Sequence, residues 1–206
     1  MNLCCDLTTL KSASVADFPN VTTHDAFLLA LLEAATRAIE GYIGEGRHFF
    51  IKTATRYYDG AKNILLDDDL RSISSFKLDL NGDGTFETTV NAADYNLYPL
   101  NELHKRWIEP SSAGNYSDFA LGIPRGVEIA GLWGYGDGKN SNPYKASATT
   151  TNEALDASEP GVDVASGPAL SAGQTILVET EQMYIESISS NTLTIIRGVN
   201  GTTAAI

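Results

Sequence analysis

A chain of 206 residues is long enough to bury one good hydrophobic core, or one core plus a small satellite module. Its 43% apolar content excludes disorder throughout, and no apolar run approaches the roughly eighteen residues that a membrane span needs. Fourteen Lys and Arg against twenty-six Asp and Glu leave a formal charge of −12, which argues against a phosphate-tracking groove, although an acidic wall would let DNA slide past without sticking.

The first twenty residues carry a single lysine and no continuous apolar core, so no secretory leader is expected and the chain should fold in the cytoplasm. Residues 1–23 read as an arm. Leu7 to Leu10 is a short apolar strand or turn within it, and Phe18-Pro19-Asn20 is a break. Cys4 and Cys5 are adjacent, which strains any disulfide between them, and His24, His48 and His104 do not fall at zinc-ligand spacing; both thiols are read as reduced and incidental.

Asp25 to Phe49 is the stretch the chain is organised around. Leu28, Leu31, Leu32, Ala35, Ile39 and Tyr42 recur at helical spacing and predict one buried face, with Glu33, Thr36, Arg37 and Glu40 on the polar side. Thr22 and Asp25 form a capping-box-like start, and Gly44 marks the end.

Strands are predicted for Phe49 to Tyr58, Asn63 to Leu66, Ser72 to Leu80, Thr85 to Val90, Asp94 to Pro99 and Pro124 to Tyr135. Asp67-Asp68-Asp69 reads as a solvated turn, with a cation site as the rival. Asp79-Leu-Asn81-Gly-Asp83-Gly-Thr-Phe-Glu87 matches the first half of an EF-hand loop, with oxygens at positions 1, 3 and 5 and glycine at 6. Position 12 is Val90, however, and the flanks are strands, so a plain hairpin competes with weak calcium binding at Asp79, Asn81, Asp83 and Glu87. Asn101 to Gly122 reads as a long loop or finger rooted at Trp107 and Ile108.

The glycines of GYGDGKN fail the phosphate-loop pattern. Ala146 to Gln174 has a linker composition, after which Thr175 to Glu179, Gln182 to Ser189 and Thr192 to Arg197 predict three short strands. The expected fold is α+β: a long N-terminal helix packed on a small antiparallel β domain, an extended linker and a small C-terminal β module. The expected boundaries are 1–23, 24–145, 146–174 and 175–206.

Taken in order, LTTL, AIEGYIGEGRHF (38–49), TRYYDG (55–60), ILLDDDLRSISSF (64–76), DYNLYP (94–99) and PRGVEIAGLWGYGD (124–137) resemble the tailed-phage head-tail connector family, also called adaptor or head-completion proteins, over most of residues 5–145. The tail EQMYIESISSNTLTIIRGVNGTTAA (181–205) is similar to a small β module of phage structural proteins. The resemblance implies a homo-oligomeric ring, usually of twelve copies, bound beneath the portal and offering a platform to the next head-completion or tail protein. DNA would pass through its lumen without sequence-specific binding. Such a protein would be found at the head-tail interface of the virion and in host cytoplasm during assembly.

Expected contact residues for the portal or a neighbouring copy are Glu33, Arg37 and Glu40 on the helix, Trp107 and Ile108, and Tyr184 in the C-terminal strands. The alternative is a calcium-binding or adhesive β-rich module. An enzyme is not expected, since HExxH, GxSxG, a P-loop and a Cys-His pair at a telling spacing are all missing from the sequence.

Overall fold

A computed structural model of the chain describes residues 2–13, 22–44, 47–136, 146 and 149–204. Its described residues are mostly β, in two antiparallel sheets with two α-helices, and the chain divides into two compact units: Met1–Gly44 with Tyr144–Ile206, and Glu45–Pro143. This overturns the expected long helix packed on a small antiparallel β domain. The helix groups with the C-terminal strands, and the larger sheet forms a unit without it.

The central unit holds six strands: β1 (Lys52–Tyr58), β2 (Ile64–Leu78), β3 (Thr88–Thr89), β4 (Tyr95–Tyr98), β5 (Lys105–Pro110) and β6 (Val127–Trp133). Their order is β1-β6-β2-β5-β4, with β3 added to β2. Alternation along β6 sends Val127, Ile129 and Trp133 inward, where they meet Phe76, Leu78, Leu70, Ile108 and Phe119. Gly131 is required in β6 because a Cβ there would stand 2.1 Å from the Ser72 carbonyl oxygen.

Two expectations fail in this sheet. Asn63 to Leu66 and Ser72 to Leu80 are not separate strands around an acidic turn, because β2 runs unbroken through Asp67-Asp68-Asp69 and pairs first with β5 and then with β6. Burying carboxylates in a strand requires a counter-charge. Arg56 supplies it, with Nη1 2.7 Å from Asp67 Oδ1 and Nη2 2.7 Å from Asp68 Oδ2, its guanidinium 4.5 Å from the Trp133 ring centre. The loop expected at Asn101 to Gly122 likewise contains β5, held by the register Tyr98 to Trp107 and Leu97 to Ile108. Cross-strand aromatic and aliphatic pairing outweighs the polar composition around it.

In the other unit, β7 (Gly161–Asp163), β8 (Thr175–Val178), β9 (Glu181–Ser189) and β10 (Thr192–Ile196) form a sheet of order β7-β10-β9-β8 around Val162, Val164, Met183, Ile185, Leu193 and Ile195. Part of the predicted linker is therefore structural, since it supplies β7 and a bridge from Thr151 to Val164. The last three strands fall where the sequence predicts them. Glu181, fully buried, receives Nε and Nη2 of Arg197, each at 2.7 Å, and the Gly198 amide at 2.9 Å. Asn200 donates to the Gln182 side chain at 2.7 Å, so the RGVNG segment closes over the start of β9.

Leu7 to Leu10 belongs to a helix, α1 (Leu7–Ser12), and not to a strand. Asp6 caps it by accepting from the Thr9 amide at 2.7 Å. The Leu7 amide donates to the Ala172 carbonyl and the Thr8 and Ser171 hydroxyls lie 2.7 Å apart, which tethers α1 to the turn before β8. The long helix, α2 (Asp25–Ile43), ends as expected at Gly44, whose φ of +136° suits glycine. At its start the Thr22 carbonyl, not a side chain, accepts from the Asp25 amide.

Candidate interaction surface

Helix α2 packs on a face rotated away from the one its hydrophobic pattern selects: of the expected set, Leu28 and Leu32 are buried, whereas Leu31, Ala35, Ile39 and Tyr42 are exposed. Its i, i+4 rows divide cleanly. Leu28, Leu32, Thr36 and Glu40 are all buried, and Asp25, Leu29, Glu33 and Arg37 are half-buried. Phe27, Leu31, Ala35, Ile39 and Ile43 form an exposed row, and Ala26, Ala30, Ala34 and Ala38 form an exposed row of alanines beside it. Tyr42 is 92% exposed while Glu40 is 5% exposed, so part of the polar side is inside and much of the apolar side outside.

The chain's own N-terminal segment explains the rotation. The Thr36 hydroxyl donates to the Leu32 carbonyl at 2.8 Å and accepts from the Cys4 amide at 3.0 Å. Arg37 donates to the Asn2 carbonyl at 3.2 Å and pairs with Glu40 at 2.5 Å. Asp25 pairs with Lys11 of α1. Asp25, Arg37 and Glu40 are thus engaged on the packed side, and hydrogen bonding to Asn2 and Cys4 fixes Thr36 and Arg37 there. All eleven exposed positions from Asp25 to Ile43 are uncharged.

These positions correct the expected helix contacts. Glu40 is buried, and Arg37 is drawn onto the N-terminal segment. Glu33 and Tyr184 are brought together, since both line an open groove of about 1390 Å³ that also takes in Leu7, Lys11, Leu29 and Ile188. Burial, reinforced by the charges of Glu33 and Glu186, pushes the Tyr184 hydroxyl above its ordinary pKa.

In the six-stranded sheet Ile108 is fully buried in the core, so it offers no contact surface. Trp107 is half-buried on the other face, stacked on Tyr98 with ring centres 5.5 Å apart, and lies across from Leu65, which is 76% exposed. Sequence reasoning missed Leu65 because it read its strand as ending at an acidic turn.

The Asp79 loop folds as a hairpin turn. Asp79 accepts from the amides of Asn81 at 3.1 Å, Gly82 at 2.6 Å and Gly84 at 2.8 Å, which holds its carboxyl below the ordinary range despite the opposing effect of burial. Asn81 donates to Asp83 and to Glu87, each at 3.1 Å. Among the described residues no group of three or more His, Cys, Asp or Glu side chains could hold a metal ion.

The strongest electrostatic cluster is structural. Burial alone would raise Asp67, but hydrogen bonds from Tyr58 and Arg56 outweigh it and lower its pKa, whereas burial wins at Asp68 and raises it. The same burial and the Asp67 bond push the Tyr58 hydroxyl up. His104 stacks on Tyr135 at 4.3 Å, with Nε2 3.1 Å from the Arg71 guanidinium and 2.8 Å from the Tyr135 carbonyl. The glycine-rich GYGDGKN lies outside the described residues from Asp137 onward.

Neither a family model, a curated protein nor a solved structure matches this chain.

Proposed function

We propose that this chain is a structural virion protein: a ring-forming adaptor between the capsid portal and the neck or tail, through which DNA passes. The observation that carries the proposal is the exposed side of α2, where eleven uncharged positions face solvent on a chain of net charge −12. A contiguous apolar face on an otherwise acidic molecule is a surface for a neighbour. The ordered motifs that resemble the head-tail connector family supply the identity of the assembly, and they are the ground for twelve copies as the ring size.

The partners in this reading are further copies of the chain, the portal protein, and a downstream head-completion or tail protein. The chain's acidity suits a lumen, because like charge keeps DNA moving past the wall. No catalytic step is assigned to any residue. The protein would act at the head-tail interface of the virion, after accumulating in host cytoplasm during assembly.

The test is the light-scattering mass of the protein mixed with a purified portal ring. A stoichiometric complex with one adaptor per portal subunit is expected. A chain that ignores portal, but whose melting temperature rises with calcium and falls back on chelation, would replace this reading with a calcium-binding or adhesive module.

A further inference from the structure

We infer that the exposed side of α2 is covered by α2 of a second copy of this chain, with the Phe27, Leu31, Ala35 and Ile39 ridge of one copy seated in the Ala26, Ala30, Ala34 and Ala38 row of the next. The inference rests on the ring-adaptor reading above and names the contact that would build the ring.

Shape comes first. Helices pack by laying an i, i+4 ridge of one into the groove beside such a ridge on the other. Here the row Phe27, Leu31, Ala35, Ile39 and the alanine row, which runs on into Tyr42, lie side by side on the same exposed face. One copy therefore carries both the ridge and the slot that fits it.

Charge leaves this face as the one where two copies meet at least cost. Two copies at −12 each repel one another over most of their surfaces. The α2 face adds least to that repulsion, since its exposed positions carry no charge and Asp25, Glu33, Arg37 and Glu40 lie on the packed side.

Area sets the strength. The exposed parts of Phe27, Leu31, Ile39, Tyr42 and Ile43 amount to an apolar patch on the order of 500 Å², at the upper end of what a monomer leaves open. A stable interface buries about 800 Å² per partner, so α2 supplies the larger part of one and the contact dissociates on dilution.

The experiment measures the mass of the full chain by light scattering from about 1 to 100 µM. Three samples are compared: wild type, Ala34→Glu to block the slot, and Leu31→Glu to spoil the ridge. Wild type is expected to grow in mass with concentration, and each variant to stay at a single chain. An equimolar mixture of the two is expected to recover a two-chain species, because Ala34→Glu retains its ridge and Leu31→Glu retains its slot.

Wild type at the mass of one chain throughout, or a mixture no heavier than its components, would overturn the inference. So would a melting temperature lowered by more than about 5 °C in both variants at dilution, since that would place the face inside the folded chain. Portal binding is read separately. A chain that self-associates through α2 yet ignores portal keeps this contact and loses the adaptor function, whereas one that binds portal with no response to either variant keeps the function and loses this contact.

Discussion

The six-stranded sheet and helix α2 are both amphipathic in sequence, and they dispose of their apolar side chains in opposite ways. Along β6 the alternation of Val127, Ile129 and Trp133 with polar or small neighbours ends with the apolar set fully buried. Along α2 the corresponding pattern leaves Phe27, Leu31 and Ile39 in solvent, while Thr36 is wholly buried. The difference lies in what covers each element. Strand β6 has a paired strand on both sides and a core beneath it, whereas on α2 Thr36 accepts from the Cys4 amide and Arg37 donates to the Asn2 carbonyl. Periodicity tells which residues share a face, and only the partner tells whether that face is inside.

Substitutions can break or sharpen this contrast. The largest effect is expected for Phe76→Ala, which empties a site packed by Tyr95 and Phe119 and should cost about 4 kcal/mol in urea unfolding. Glu181→Ala should cost about 3 kcal/mol by the same assay, because it strands the Arg197 guanidinium and the Gly198 amide against β9. On α2, Leu32→Ala should cost about 3 kcal/mol while Leu31→Ala, one residue away, costs under about 0.5 kcal/mol in the dilute chain. Equal losses at these two positions would erase the contrast.

A smaller, pH-dependent effect is expected at Asp67. Its folded pKa is held below the unfolded value, so it stabilises the protein above the ordinary carboxylate range and loses that contribution as pH falls through the folded value. Asp68 acts in the opposite sense: its pKa is raised, so its contribution is present at low pH and is lost as pH rises through the folded value. Asp67→Asn should therefore cost roughly 0.5–1 kcal/mol at pH 7, with the gap from wild type closing as pH falls below about 4. A gap that stays constant with pH would show that Asp67 acts through its shape alone.

The sequence revealed where most elements lie and less about what they touch. Helix α2 and its glycine stop were legible, as were β8 to β10 and the core of the Asp79 hairpin, because local periodicity and turn residues decide them. Strand β5 is hidden in the sequence by Pro110, Ser111 and Gly114, which mark its end and give the whole segment a loop-like composition. The unbroken course of β2 through three aspartates depends on Arg56, eleven residues before the first of them, and no local pattern announces that pair. The orientation of α2 was illegible for the same reason: main-chain groups at Asn2 and Cys4 set it, and a backbone carbonyl or amide leaves no mark in composition. As for the contact surface, Glu33 and Tyr184 were found together in one groove, whereas Ile108 and Glu40 were buried and Leu65 was overlooked.

The most direct test of the rotated helix compares thiol reactivity at two adjacent positions. With Cys4 and Cys5 replaced by serine, Leu31→Cys and Leu32→Cys would each be titrated with a disulfide reagent at a dilution where the chain is monomeric. The structure predicts rapid labelling at position 31 and strong protection at position 32. Protection at both positions would mean that the apolar face marked by the sequence is packed as a whole, and would contradict the account.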